Sequence, residues 1–311
     1  KMNYERVIFC IIAVVTLLSN VFTVILFVKK SKWLKKAYNC LILALAIQDI
    51  LVAISLMVLP GFVMEEGVYG EPPNAGLWLV YCKILWSHFI PFALGITSVY
   101  TCLMLTFERW MAVVRPFSYK KYEQSFTMVS IAVLFPWIAG FCFEIAAPLN
   151  ATVLEVNGTY FCGWKEKEYS LGTTCVAVFN FLGMIIIPAA LMVITYRRII
   201  VHMKQSRKRL RNSKAMNRGI KQVTVTAIFA SIVVIGCWLP DQIYYTLSQL
   251  QLAKLGTTEH FVVKTLAFAS SCINPVIYCF SNKSYRNGLK EICSGRKQFR
   301  NRKDSTARQV P

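Results

Sequence analysis

The sequence predicts an all-α membrane protein: a seven-transmembrane helix bundle with a short amphipathic eighth helix and an extracellular β-hairpin. Three observations predict it. First, 311 residues that are 56% hydrophobic and only 16% charged carry more apolar surface than one soluble core of that length. Second, seven long apolar windows follow one another: Val7–Val28, Ala37–Met64, Ile84–Phe107, Gln124–Phe143, Tyr169–Tyr196, Gln222–Pro240 and Thr265–Asn282. Each is near or above the length that crosses about 30 Å of hydrocarbon. Only Asp49 interrupts them with a charge. Third, with the N-terminus outside, the inner segments carry a net +24 and the outer ones −3, which with Asp49 recovers the total of +20. The basic charge therefore faces the cytoplasm and anionic membrane lipid, not a nucleic acid.

The connections agree with that topology. The inner ones are basic, at Lys29–Lys36, Arg115–Lys121 and Arg197–Lys221, the last with a short turn expected near Arg211–Lys214. On the outer side, Thr152–Cys162 alternates apolar and polar residues around Asn157-Gly158, a strong hairpin signal. The sequons at Asn150 and Asn157 sit in the same loop and mark candidate glycosylation sites. Of eleven cysteines only Cys82 and Cys162 fall outside, where a disulfide is permitted; closing so long a loop would constrain the unfolded chain by roughly 4 kcal/mol. After the seventh window, Tyr285, Leu289 and Ile292 recur at helical spacing among basic residues, an amphipathic surface helix with Cys293 as a palmitoylation candidate. The chain thus divides into a transmembrane domain at 1–281, the surface helix at 282–293 and a basic cytoplasmic tail at 294–311. It opens on Lys1 with no signal peptide, and a trimmed start is expected.

Asp49 is the one acid placed mid-membrane, where a charge costs about 2.5–3.5 kcal/mol and calls for a partner or a function. Around it the residues carry a resemblance. Leu45-Ala-x-x-Asp49, Ser19-Asn20, Glu108-Arg109-Trp110, Cys237-Trp238-Leu239-Pro240 and Asn274-Pro275-Val-Ile-Tyr278, with Trp137, Pro188 and Tyr196, resemble in order the landmarks of the rhodopsin-like (class A) G-protein-coupled receptors, neuropeptide-receptor type. The resemblance implies a receptor rather than an enzyme, in the plasma membrane. Its partners would be an extracellular ligand, a heterotrimeric G protein, arrestin and receptor kinases. It implies the Cys82–Cys162 disulfide. It also implies an activation switch of Glu108, Arg109, Tyr196, Trp238, Pro240, Asn274, Pro275 and Tyr278, whose prolines make hinges. Asn20, Asp49, Ser98, Ser270 and Asn274 fall where the family holds an allosteric sodium ion, no other cofactor being expected; a neutral, water-bridged cluster is the other reading. Three departures stand out. Cys82 lies 27 residues before Arg109, two more than usual, with Pro91 between; Val234 stands where an aromatic residue is usual; and no acid lies near Ile220 to pair with Arg109.

For the ligand, no acid occurs from Lys83 to Phe107, which argues against an amine receptor, and Phe268 stands where an opsin carries its lysine. A basic or amidated peptide is the expectation, with a non-peptide small molecule, or a seven-helix transporter or pump, as alternatives. Glu65, His88, Asp241, Gln242, Tyr245, Lys264 and Phe268 are the candidate pocket residues. Asp241 either meets the ligand's charge or pairs with Lys264 across the sixth and seventh helices.

Overall fold

The computed structural model describes residues 2–65, 67–72, 74–156, 158–165, 170–209, 214–281 and 283–293. Among them seven helical spans are long and apolar enough to cross a membrane: Tyr4–Lys29, Ala37–Val58, Ala75–Val114, Phe126–Asn150, Leu171–Gln205, Gln222–Gln249 and Thr258–Cys279. They are called the first to seventh spans below. The chain is a multi-pass membrane protein.

The residues are sorted as a bilayer requires. Large apolar side chains such as Ile11, Leu18, Ile138, Phe179 and Val262 point outward, while Asn20, Gln48, Asp49, Thr101, Glu108 and Asn274 are buried. A polar group cannot be left in hydrocarbon, so the polar residues turn to the interior and find one another. Small residues let the helices approach. At Gly140 of the fourth span a Cβ would come within 2.2 Å of Thr97 Oγ1 and 2.5 Å of the Ala93 carbonyl, so that contact with the third span requires glycine.

Three spans are not uniform α-helix, the fourth because Ile145 separates a helix Phe126–Glu144 from a last turn Ala146–Asn150. The fifth carries a π-helical turn at Leu182–Ile186 just before Pro188, whose missing N–H the wider turn tolerates. The turn leaves the Gly183 carbonyl to accept a hydrogen bond from Tyr100 (2.8 Å). The third is broken near its hairpin end: an α-helical turn Ala75–Val80 runs into a π-helix Tyr81–Trp86, and a new α-helix starts at Phe89. His88 sits at the break with φ +57°, a left-handed conformation that few non-glycine residues adopt. This break absorbs the two extra residues between Cys82 and Arg109. It also places Pro91 in the first turn of the new helix, where its lack of an N–H costs nothing.

The expected hairpin forms as strands β1 (Ala151–Val156) and β2 (Thr159–Trp164), antiparallel, with Val153 opposite Cys162 and Gly158 turning at φ +78°. The surface helix forms over Lys283–Cys293; Tyr285 is buried against the bundle and its hydroxyl meets Thr23 Oγ1 at 2.5 Å. Most of the turn expected near Arg211–Lys214, Asn157 and the tail from 294 onward lie outside the described residues, as does the side chain of Cys293, which closes the surface helix. Asn150, the other sequon, ends the fourth span with its Nδ2 donating to the Ala146 carbonyl (2.7 Å). Four apolar windows misplaced their edges. The second span stops at Val58 because Pro60 and Gly61 turn the chain (Gly61 φ +81°), whereas the fourth, sixth and seventh spans run on through Glu144, Asp241 and Lys264.

Candidate functional site

At the hairpin end, Cys162 of β2 is bonded to Cys82 in the π-helical turn of the third span. The hairpin is thereby tied over the bundle, and Trp164 packs on Trp86 with ring centroids 5.1 Å apart. Beneath it lies a cavity of about 80 Å³ lined by His88, Phe92, Glu144, Trp164, Asp241, Gln242, Tyr245 and His260, among others. Four of the seven candidate pocket residues, His88, Asp241, Gln242 and Tyr245, are therefore brought together. His88 is fixed by its ring: Nε2 lies 2.8 Å from the Pro60 carbonyl and the imidazole packs on Phe62.

The other three are elsewhere. Glu65 does not line the cavity and pairs with Arg6 at the surface, beyond the turn at Pro60 and Gly61. Phe268 is fully buried below the cavity, against Trp238, Phe92, Phe62 and Phe9. Lys264 holds its ammonium 5.3 Å and 5.0 Å from the ring centroids of Phe9 and Phe62, a cation–π arrangement. The sequence reading missed Glu144 as a pocket residue. It counted Glu144 among the outer acids, yet the side chain is only 5% exposed. An acid one residue beyond an apolar window, with Ile145, Ala146 and Ala147 following, was the available signal.

Trp238 links this cavity to the interior. Its indole packs on Phe92 and Phe268, and its Nε1–H donates to Ser270 Oγ at 3.2 Å. The ring lies flat on the third span at Gly95, where a Cβ would fall 1.9 Å from Cη2 and Cζ2. Gly95 was not among the candidates, although a glycine inside an apolar helix usually marks close packing.

One turn further in is the polar cluster. Asn274 Nδ2 donates to Asp49 Oδ2 (2.9 Å), and Asn20 Nδ2 donates to the carbonyls of Thr16 (3.0 Å) and Ser271 (3.1 Å). Asn20 Oδ1, Asp49 Oδ1 and Asn274 Oδ1 are all buried without a hydrogen-bond partner. Two amide oxygens and the free oxygen of one carboxylate are a donor set suited to a small hard cation. The Ser98 and Ser270 hydroxyls donate to their own helices, to the Leu94 and Ala267 carbonyls, and Ser270 Oγ also accepts from Trp238.

At the far end, Glu108 grips Arg109 in a two-pronged contact, with Nε 2.5 Å from Oε2 and Nη2 against Oε1. Both are buried, and the guanidinium also lies 4.6 Å from the Tyr38 ring centroid. This is not the exposed pair worth under about 1 kcal/mol; removing one partner of a buried pair costs about 3–5 kcal/mol. Tyr119, from the helix Pro116–Gln124, adds a clasp that sequence reading did not find: its hydroxyl lies 2.7 Å from Glu108 Oε1 and 2.9 Å from Glu123 Oε1. Burial, reinforced by Glu108, holds that phenol well above its ordinary pKa, so it remains a donor. Tyr196 is turned to Thr106 (2.8 Å) and Ser231 (3.0 Å). Tyr278 packs on Tyr285, and its buried hydroxyl has no hydrogen-bond partner. Pro240 and Pro275 interrupt the sixth and seventh helices beside Trp238 and Asn274.

A seven-helix membrane bundle with a roofed cavity at one end, a buried arginine pair at the other and a tryptophan between them has the anatomy of a signalling receptor. Residues 19–278 match the family described as 7 transmembrane receptor (rhodopsin family), and the chain belongs to it. Among curated proteins it is 28% identical to the allatostatin-A receptor of Bombyx mori, over 91% of this chain and 78% of that one. It is 23% identical to galanin receptor 2a of Danio rerio (95% and 80%) and 24% identical to somatostatin receptor type 5 of Rattus norvegicus (94% and 78%).

Proposed function

We propose that the chain is a plasma-membrane receptor, N-terminus outside, that binds an extracellular basic or amidated peptide beneath the hairpin and activates a heterotrimeric G protein at the Arg109 end. The observation that carries this is its likeness, over more than nine-tenths of its length, to receptors named for three neuropeptides. The acid-lined cavity beside the sixth-span hinge supports it. A ligand pressing on the Pro240 hinge shifts Trp238, and separation of Glu108 from Arg109 opens the inner face. The groove there, lined by Arg115, Arg197 and Arg198, offers positive charge to a cytoplasmic partner. Arrestin, receptor kinases and anionic lipid are the further partners proposed for this end. Cells expressing the chain should report G-protein dissociation with some pools of a peptide library and not with amines or lipids. Ion flux across the membrane without G-protein dissociation would identify a transporter instead.

The polar cluster is proposed to hold sodium through Asp49, Asn20 and Asn274. When bound, the ion would neutralise the buried carboxylate and stabilise the inactive packing. Sodium chloride should then raise the Tm of the unliganded receptor more than choline chloride does, and Asp49→Asn should abolish the difference because Asn keeps the shape without the charge. A sodium effect that survives in Asp49→Asn would favour a neutral, water-bridged cluster.

A further inference from the structure

We propose that the cavity under the hairpin is a guanidinium site, in which Glu144 of the fourth span and Asp241 of the sixth receive an arginine side chain of the ligand. The inference rests on the peptide reading above and narrows it to one side chain. Two carboxylates from different helices line the same small cavity, 5% and 2% exposed. Their charges act on each other, and Lys264 is the cation that acts on Asp241. Among the described residues no ion pair or hydrogen bond reaches Glu144. One lysine against two buried carboxyl groups leaves an acid that an incoming cation would hold ionised.

Gln242 points independently to a ligand. It is 2% exposed, lines the same cavity, and its Oε1 is buried without a hydrogen-bond partner. The demand is thus for several donors at once, on a cation: two buried carboxyl groups and one unpartnered amide oxygen. A guanidinium presents five N–H donors in a rigid plane and is weakly hydrated. An ammonium offers three and holds its water, and a carboxamide offers two with no charge. His88 cannot supply the donor, since its Nε2 is engaged with the Pro60 carbonyl. The remaining walls include Phe92, Trp164 and Tyr245, whose faces suit stacking of a planar cation. A volume near 80 Å³ admits a side-chain head group and excludes a folded peptide. Because Asp241 directly follows Pro240, a cation bridging it to Glu144 draws the outer part of the sixth span toward the fourth and loads the hinge above Trp238.

The test uses the purified full chain in nanodiscs and three probes, the Nα-acetyl amides of arginine, lysine and citrulline. The arginine probe should raise Tm saturably. Citrulline, the same shape without charge, should not, and lysine should need roughly tenfold more. Glu144→Gln should weaken the arginine probe by roughly thirtyfold or more. Asp241→Asn should weaken it similarly. Equal stabilisation by arginine and citrulline, or unchanged arginine affinity in Glu144→Gln, would overturn the proposal. The peptide screen separates the two readings. Full activation by pools free of arginine overturns the guanidinium site and leaves a peptide receptor. Silence of every pool, with the arginine probe still dependent on Glu144, overturns the peptide reading alone.

Discussion

Replacing Gly95 by alanine should unseat Trp238. The added methyl would fall 1.9 Å from two atoms of the indole, on a rigid helix in the middle of the bundle, so the ring rather than the backbone has to move. Overpacking of this kind costs about 1–3 kcal/mol and occasionally more. Here it also breaks the 3.2 Å hydrogen bond from Trp238 to Ser270, which joins the sixth span to the turn carrying Asn274. Gly95→Ala should therefore lower Tm and raise ligand-independent nucleotide exchange together. Trp238→Phe removes the clashing atoms, so the double variant should regain much of the lost stability, a coupling that a double-mutant cycle measures directly. Wild-type Tm and wild-type basal exchange in Gly95→Ala would show that the indole is not held against the third span.

Cys162→Ser should produce a loss of similar or greater size. The bond closes a loop with a sequence separation of 80, which the chain-entropy model values at roughly 4 kcal/mol, and it anchors the strand whose Trp164 roofs the cavity. Tm and surface expression should fall, and the arginine probe should bind more weakly because one wall is no longer fixed. Cys82→Ser should match it, and the double variant should lose no more than either single one. Additive losses would mean that the two sulfurs act separately.

Much of this was legible in the sequence, and what was not has a physical reason. Lipid-length apolar runs are a one-dimensional property, so the seven spans could be read directly, as could the hairpin from Asn157-Gly158; Asp49 stood out as the one charge in an apolar window, and the resemblance grouped Asn20 and Asn274 with it. Charged residues served as span boundaries, which cut the fourth, sixth and seventh spans short of Glu144, Asp241 and Lys264 and hid Glu144 as a wall of the cavity. The break in the third span was visible only as two surplus residues and a misplaced proline. Its form depends on His88 reaching the Pro60 carbonyl and Phe62, contacts between segments that no spacing encodes. Ser270 was assigned to the ion site by resemblance, and its hydrogen bond from Trp238 could not be read from spacing. Gly95 and Tyr119 gain their meaning only from what packs on them.

Ligand binding under the hairpin should drive nucleotide exchange on a partner at the Arg109 end, measured on a purified heterotrimeric G protein with the full chain in nanodiscs. An active peptide pool should accelerate exchange severalfold with the wild-type chain and leave it unchanged with Arg109→Ala, whose affinity for the arginine probe stays normal. Peptide-accelerated exchange that persists in Arg109→Ala, or no acceleration by any pool in the wild-type chain, would show that the cavity does not signal through the Arg109 end.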